Sequence, residues 1–180
     1  MKRFILTGSP GAGKTALLRL LETRGYPVIE EAATDVIALA QAEGRPEPWT
    51  EPGFVDAIVD LQERRRSAAA AWPGPVQVFD RSPVCTWALT MHLGQAPSQA
   101  LRRAVERIER DGIYQRRVLF VRPLGFIEPT AARRISYDES LRFEQAHVEA
   151  YERFGYALID IAPGTLAARA DAAVAAMAPA

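Results

Sequence analysis

The segment GSPGAGKT, residues 8–15, constrains the fold of this chain more than any other stretch of its sequence. It follows the apolar run FILT and precedes a segment with helical periodicity, so it connects a predicted strand to a predicted helix. The residues that match the pattern G-x-x-x-x-G-K-[ST] in full are Gly8, Gly13, Lys14 and Thr15. The segment is therefore predicted to be a phosphate-binding loop.

The composition of this loop suits it to a nucleotide and a divalent cation. Glycines let main-chain N–H groups turn inward, and these groups form an anion site with the positive end of the helix that begins near Gly13. Lys14 can reach the β- and γ-phosphates, and the Thr15 hydroxyl can bind Mg²⁺. We therefore expect ATP and Mg²⁺ as cofactors. The expected nucleotide-binding residues are Gly8, Ser9, Pro10, Gly11, Ala12, Gly13, Lys14 and Thr15.

Strand-like and helix-like segments alternate along the rest of the chain. Strands are predicted at 3–8, 26–31, within 73–82, at 116–123 and at 156–161. Helices are predicted at 14–25, 32–44, 54–72, 83–93, 98–111 and 138–155, with a last helix in the alanine-rich end. Five strands separated by helices imply a parallel sheet with right-handed crossovers. The predicted fold is α/β: a three-layer P-loop NTPase fold of the nucleoside and nucleotide kinase type, with strand order 2-3-1-4-5.

Length, charge and cysteine content limit the classes of function. The 180 residues suit one domain, and no internal repeat or long linker divides them, so 1–180 is predicted to be a single domain. The formal net charge of +0 gives no global attraction to nucleic acid or to a membrane surface. The single cysteine, Cys85, fits a reducing compartment, and no apolar stretch is long enough to span a membrane. We expect a cytoplasmic monomer or homodimer.

Charged residues follow two predicted strands at the edge where the phosphate loop lies. The stretch VFDRSP places Asp80 and Arg81 at the end of the third strand, and VIEE places Glu30 and Glu31 at the end of the second. In an open parallel sheet this edge faces the ligand crevice. Asp80 is expected to bind Mg²⁺ or to accept a proton, Arg81 to bind the acceptor, and one of the two glutamates to act as a general base or acceptor-binding carboxylate. Helix capping by Asp80 and by the glutamate pair is the structural alternative.

An arginine-bearing segment at about 124–142 is expected to form a lid over the nucleotide. It carries Arg133, Arg134 and Arg142, and arginine donors stabilise the charge that spreads over a transferring phosphoryl group. Lid closure also excludes water. The alternative is that these arginines are solvated surface residues.

Several other residues are interpreted as structural. The basic run ERRR at 63–66 is interpreted as a solvated helix face, with an acidic acceptor as its alternative ligand. His92 and His147 lack metal-ligand spacing and are taken as structural or surface residues. Cys85 is expected to be a small packed residue near the site.

Missing motifs narrow the class of phosphate-loop protein. The chain has no Asn-Lys-x-Asp stretch for guanine and no D-x-x-G after the third strand, which argues against a GTP switch. Its length argues against an oligomeric motor with a helical lid domain. A small kinase is favoured.

Four stretches, ILTGSPGAGKT, VIEEAA, VFDRSP and EPTAARRIS, together carry a family resemblance over nearly the whole chain. They resemble an AAA-type ATPase/kinase-like family that is similar to the nicotinamide riboside kinase domain, and they are also similar to deoxynucleoside kinases. The resemblance implies that Glu31 is the acceptor-side carboxylate and Asp80 the Mg²⁺-side one. It further implies that Arg81, Arg133 and Arg134 contact phosphate or acceptor.

The function predicted from the sequence is Mg²⁺-ATP-dependent phosphoryl transfer to a small hydroxylated acceptor, nucleoside-like or vitamin-like. Lys14, Glu31, Asp80, Arg133 and Arg134 are the residues expected to carry the chemistry. Either Glu31 or Asp80 receives the acceptor proton. The acceptor crevice is predicted between the helices at 32–44 and 54–72. The alternatives are an ATP-binding or ATP-hydrolysing regulatory module and acceptor-free triphosphate hydrolysis.

Overall fold

The computed structural model describes residues 1–124 and 137–178. Its strands are β1 (Lys2–Thr7), β2 (Val28–Ile29), β3 (Val76–Asp80), β4 (Arg117–Val121) and β5 (Ala157–Ile161). Its α-helices are α1 (Lys14–Thr23), α2 (Ala32–Ala42), α3 (Phe54–Ala69), α4 (Pro83–His92), α5 (Gln99–Arg110), α6 (Tyr137–Arg153) and α7 (Leu166–Met177). A short 3₁₀ helix, Pro48–Thr50, lies in the turn between α2 and α3.

The strands form one parallel sheet in the order β2-β3-β1-β4-β5. This confirms the α/β fold class and the strand order predicted from the sequence. Parallel strands need a crossover connection, and the helices between consecutive strands provide it. The order reverses on either side of β1, so the carboxyl end of β1 lies at the point where ligands bind in open sheets.

Alternating side chains of the strands pack into two separate cores, which makes the molecule three layers deep. Phe4 and Leu6 of β1 pack with residues of α1 and α7 on one face of the sheet. Ile5, between them, packs with residues of α3, α4, α5 and α6 on the other face. Successive side chains of a strand point to opposite faces, so a strand buried on both sides is apolar throughout.

Side-chain caps fix where three helices begin. Ser82 accepts a hydrogen bond from the main-chain N–H of Val84 at 3.2 Å and caps α4, with Pro83 in its first turn. Ser98 caps α5 and Thr165 caps α7 in the same way. Because Ser82 provides the α4 cap, the structural alternative for Asp80, a helix-capping role, is wrong.

The second strand is shorter than the sequence predicted. The prediction was 26–31, but only Val28 and Ile29 pair with β3. This strand lies at the edge of the sheet, Pro27 has no N–H to donate, and Glu31 already precedes the first turn of α2. The remaining helices and strands lie within a few residues of their predicted bounds.

Within residues 1–124 and 137–178, no helix combines the length and apolar character needed to cross a membrane.

Candidate active site

The phosphate loop connects β1 to α1 through glycines in backbone conformations that other residues rarely adopt. Gly8 has φ 139°, and Gly13, directly before α1, has φ 79°. A Cβ on Gly8 would clash with the main-chain carbonyl of Val121, because β4 passes close to the start of the loop. The glycines are therefore required both by the turn and by close packing against β4.

Lys14 is buried at the centre of this loop. Its ammonium Nζ donates to the main-chain carbonyls of Gly8 at 3.0 Å and of Ser9 at 2.9 Å. Burial, and then the nearby Arg81 guanidinium, lower the pKa of Lys14 to about 8, although Asp80 and Glu31 oppose this shift. An anionic ligand in the loop would restore the charge balance around this ammonium.

Asp80 ends β3 beside the phosphate loop, since β3 pairs with β1 and sets Asp80 opposite Leu6. Its Oδ1 is buried and has no hydrogen-bond partner among residues 1–124 and 137–178. Burial, and then the charge of Glu31, raise the pKa of Asp80 to about 6. A buried carboxylate oxygen without a donor is a suitable ligand for a cation or for its bound water.

The residues present therefore fit Mg²⁺. Thr15 lies exposed in the first turn of α1, and Asp80 supplies the unpartnered carboxylate oxygen at the same edge of the sheet. Hydroxyl and carboxylate oxygens are the ligand types that Mg²⁺ takes alongside phosphate oxygens and water.

The two adjacent glutamates, Glu30 and Glu31, have different surroundings, and the sequence analysis expected only one of them to act in the site. Glu31 forms an ion pair with the Nε of Arg81 and accepts a hydrogen bond from Thr34 at 2.8 Å. Burial raises the pKa of Glu31, but Arg81 and Lys14 outweigh it and hold the pKa below its usual range. Glu30 is exposed and pairs with Arg19 at 2.5 Å. Of the two glutamates, Glu31 is therefore the one that lies beside Arg81 and Lys14.

Arg81 has the left-handed backbone conformation, with φ 73°, and is the one non-glycine residue in the described ranges with positive φ. Such a conformation is costly for an L-residue and is characteristic of functional sites. Its guanidinium contacts Glu31 through Nε and the imidazole Nε2 of His147 through Nη1, at 2.8 Å. The sequence prediction treated His147 as structural or surface, and its isolated position on a helix gave no signal of this contact.

Arg65 is a second residue of the site, and the sequence analysis considered it only as part of the basic run at 63–66. It donates through Nη1 to the main-chain carbonyls of Glu30, at 3.0 Å, and of Glu31, and through Nη2 it pairs with Asp35. It thereby holds the carboxyl end of β2 against α3. The interpretation of 63–66 as a solvated face is wrong for Arg65, because this guanidinium is directed at the main chain of the site.

Arg169 on α7 contacts the phosphate loop from the face of the sheet that α1 and α7 cover. Its Nη2 donates to the main-chain carbonyls of Ala12 at 2.7 Å and Arg122 at 3.3 Å, and the residue is only 4% exposed. A Cβ on Gly13 would lie 2.9 Å from its Nη1. The φ of Gly13 therefore requires glycine, and a side chain there would also have to displace the end of the Arg169 side chain.

A buried polar network lies beneath the site. The thiol of Cys85 is 3.2 Å from the Thr7 hydroxyl and 2.9 Å from the Tyr151 hydroxyl, which is also 2.9 Å from the Ser82 hydroxyl. These contacts link the end of β1, the start of α4 and α6. The expectation that Cys85 is a packed residue near the site is confirmed.

A cavity of about 630 Å³ lies between α2, α3 and the turn that joins them. Its walls include Leu39, Phe54 and Leu61, and charged residues, among them Arg64, stand among the apolar ones. Arg65 also lines it, and the same guanidinium contacts the main chain of Glu31. Arg65 therefore connects the cavity wall to the carboxyl end of β2, whereas the four charged residues described above do not line the cavity. The cavity lies between the helices where the sequence predicted the acceptor crevice.

The predicted lid residues Arg133 and Arg134 lie outside the described residues. Arg142, the third arginine of that prediction, is exposed on α6.

Solved structures with the same fold include NadR proteins. A NadR protein in complex with NAD and AMP-PNP has a TM-score of 0.68 and 19% sequence identity, with 97% of this chain and 48% of that chain covered. A NadR protein in complex with NR has a TM-score of 0.63, also at 19% identity, with coverage of 97% and 49%. The chain therefore spans about half the length of these proteins.

A deoxyadenosine kinase of M. mycoides, solved with the products dCMP and dCDP, matches over its whole length. The TM-score is 0.56 and the identity 10%, with 96% of this chain and 97% of that chain covered. These likenesses confirm the P-loop kinase fold that the sequence predicted.

No curated protein matches the chain significantly in sequence. A family model described as an AAA domain matches residues 3–169, which include the phosphate loop, Glu31, Asp80 and Arg81. The chain therefore belongs to this AAA-domain family.

Proposed function

We propose that this protein is a Mg²⁺-ATP-dependent phosphotransferase that acts on a small hydroxylated acceptor. The observation that carries the proposal is the convergence of four charged side chains at one edge of the sheet. Lys14, Asp80, Glu31 and Arg81 lie near enough to perturb one another's pKa values. Phosphoryl transfer to a hydroxyl uses a cationic loop for the phosphates, one carboxylate for the metal ion and a second carboxylate that accepts the proton.

The triphosphate is assigned to the loop of residues 8–15. Lys14 exchanges its two carbonyl partners for the β- and γ-phosphates, and the loop N–H groups hold the same oxygens. When bound through Thr15 and Asp80, Mg²⁺ supplies charge neutralisation of the phosphate oxygens. The high pKa of Asp80 in the ligand-free protein marks a carboxylate whose charge is not yet balanced.

The acceptor hydroxyl is assigned to the Glu31–Arg81 pair. Its oxygen attacks the γ-phosphorus, a new P–O bond forms, the bond to the bridging oxygen of ADP breaks, and the hydroxyl proton passes to Glu31. Asp80 is assigned to the cation, which leaves Glu31 as the acceptor-side base. The depressed pKa of Glu31 is compatible with this role, because proton transfer is late in a loose, metaphosphate-like transition state.

The remainder of the acceptor is assigned to the cavity between α2 and α3. Its volume of about 630 Å³ falls in the range of small-molecule sites, and it mixes apolar walls with charged groups. The solved structures of a NadR protein with NR and of a deoxyadenosine kinase with its products support an acceptor that is nucleoside-like or vitamin-like.

The experiment measures ADP release from Mg²⁺-ATP by the purified protein, with and without a panel of nucleosides, sugars and vitamins. We expect release that depends on one acceptor, together with a product whose mass has increased by one phosphoryl group. The Glu31→Gln variant should lose this activity, and Glu30→Gln, at the exposed neighbour, is the matched control. Slow release that no acceptor accelerates would instead indicate a hydrolysing or regulatory module and would overturn the proposal.

A further inference from the structure

His147 is completely buried on α6, and its two ring nitrogens have different partners. Nδ1 lies 2.8 Å from the main-chain carbonyl of Phe143, and Nε2 lies 2.8 Å from Nη1 of Arg81. A carbonyl can only accept a hydrogen bond, and a guanidinium can only donate. Nδ1 therefore carries the proton and Nε2 offers a lone pair, so the ring is neutral with a single tautomer.

The groups around this ring oppose a second proton. Burial, and then the charge of Arg81, hold the pKa of His147 well below its usual range. The hydrogen bond to the Phe143 carbonyl opposes this shift, whereas Lys14 at the start of α1 and His92 on α4, which also face the ring, act in the same direction as Arg81. An acceptor nitrogen is consequently present at Arg81 across the physiological pH range.

Arg81 is an enclosed residue, and the described side chains of Glu31 and His147 contact its guanidinium. Its backbone is in the left-handed region, and its side chain is only 11% exposed. The Glu31 carboxylate engages Nε at one end of the planar guanidinium, and His147 engages Nη1 at the other. Nε has no hydrogen-bond partner in the described part of the chain, so the ion pair with Glu31 holds the position of the group and the hydrogen bond from Nη1 to His147 fixes its plane.

We propose that His147 is a positioning residue, whose acceptor nitrogen holds the Arg81 guanidinium in the plane in which Arg81 and Glu31 together receive the acceptor hydroxyl. The expected effect of His147 on turnover rests on the proposed phosphotransfer. Its structural content, the Nε2 acceptor bond to Arg81, does not depend on that activity.

The first experiment tests the bond alone by long-range ¹⁵N–¹H NMR of protein labelled at histidine. The chain has two histidines, so the spectrum is simple to assign with a His92→Gln variant. We expect His147 to show a protonated Nδ1 and an unprotonated Nε2 from pH 5.5 to 8, and its Nε2 resonance to shift in Arg81→Met. An Nε2–H tautomer, a second proton gained near pH 6.5, or an Nε2 unaffected by Arg81→Met would overturn the proposal.

The second experiment tests the consequence in turnover with two variants of different chemistry. Gln at position 147 retains an acceptor oxygen, whereas Leu has a similar volume and none. We expect His147→Leu to lower kcat about tenfold with less than a threefold change in KM for ATP, and His147→Gln to recover most of the loss. In an Arg81→Met background His147→Leu should have no further effect on kcat. Equal losses in both variants, or additive effects with Arg81→Met, would show a merely structural role.

Failure of the proposed function has a separate signature. If the wild-type protein shows no acceptor-dependent ADP release, the phosphotransferase assignment is wrong, and the NMR measurement still decides whether His147 orients Arg81. Thermal unfolding of each variant identifies a loss of activity that comes from misfolding.

Discussion

Glu31 and Arg81 form an ion pair that joins the carboxyl ends of two neighbouring strands, β2 and β3. Their side chains are 24% and 11% exposed, so each charge depends on the other for compensation. The pair lies beside the buried Lys14, and the three charges shift one another's pKa values. A change at one of these residues therefore alters the electrostatics of the whole edge.

The first prediction concerns the two adjacent glutamates. Glu31→Gln should lower acceptor-dependent kcat by about a hundredfold, because it removes the acceptor-side carboxylate and leaves Arg81 without its partner. Glu30→Gln should leave kcat within about twofold, because an exposed pair such as Glu30–Arg19 contributes little. Steady-state kinetics of the two variants measures the difference. Equal effects would contradict the assignment of Glu31 to the acceptor.

The second prediction concerns the loop lysine. Lys14→Met should cost on the order of a hundredfold or more in turnover, because it removes the ammonium that contacts the transferring phosphate. The other lysine of the chain, Lys2, begins β1 and provides the control Lys2→Met. Steady-state kinetics measures the loss of turnover, and the change in unfolding temperature on addition of Mg²⁺-ATP measures nucleotide binding. Near-normal turnover in folded Lys14→Met would remove the basis of the proposed function.

The third prediction concerns the glycine at the start of the loop. Gly8→Ala should destabilise the protein by about 3 kcal/mol or more, because the Cβ meets the Val121 carbonyl and φ 139° is unsuitable for alanine. Gly94→Ala, at a turn with φ 68° and open space around the new Cβ, should cost only about 1 kcal/mol. Denaturant unfolding of both variants gives the comparison, and similar losses would contradict the close packing described here.

The fourth prediction concerns the pH dependence of Asp80. Its folded pKa of about 6 lies above the ordinary value of 3.8, so the folded state binds the proton more tightly. Protonation of Asp80 therefore stabilises the folded state, and this stabilisation is fully present below the ordinary pKa of 3.8 and is lost as the pH rises through about 6. Asp80→Asn does not titrate, so the ligand-free variant should gain about 1 kcal/mol relative to wild type between pH 5 and pH 8.

Denaturant unfolding at the two pH values measures this gain, and the effect of Mg²⁺-ATP provides a second comparison. The ligand should stabilise wild type more than Asp80→Asn, because the carboxylate is assigned to the cation. A difference between the variants that is constant with pH would show that Asp80 is already charged and compensated in the ligand-free protein.

The fifth prediction concerns the arginines expected in the lid. Replacement of both Arg133 and Arg134 with alanine should lower kcat more than ATP affinity, because their donors are assigned to charge that develops in the transition state. Arg103→Ala, on the exposed surface of α5, is the control. Nucleotide titration and steady-state kinetics separate the two effects. A loss confined to ATP binding would make the lid assignment wrong.

The sequence by itself determined the local parts of this protein. The spacing of Gly8, Gly13 and Lys14 and the apolar strands are local patterns, and each specifies its conformation through short-range sterics and hydrogen bonds. The alternation of strands and helices then predicted a parallel sheet, and the phosphate-loop kinase type of fold predicted its strand order. The sequence also predicted that the carboxylates at the ends of two strands lie near each other, because parallel strands end at a common edge.

Only the tertiary structure decided which charges meet. The residue pattern alone left Glu30 and Glu31 open and only the family resemblance favoured Glu31, because a two-residue edge strand and the turn after it set the surroundings of each side chain. It gave no sign that His147 reaches Arg81, or that Arg169 lies under Gly13, because these contacts join elements distant in the chain. Such contacts depend on how helices pack across the sheet, and periodicity along one helix carries no information about the residue that faces it.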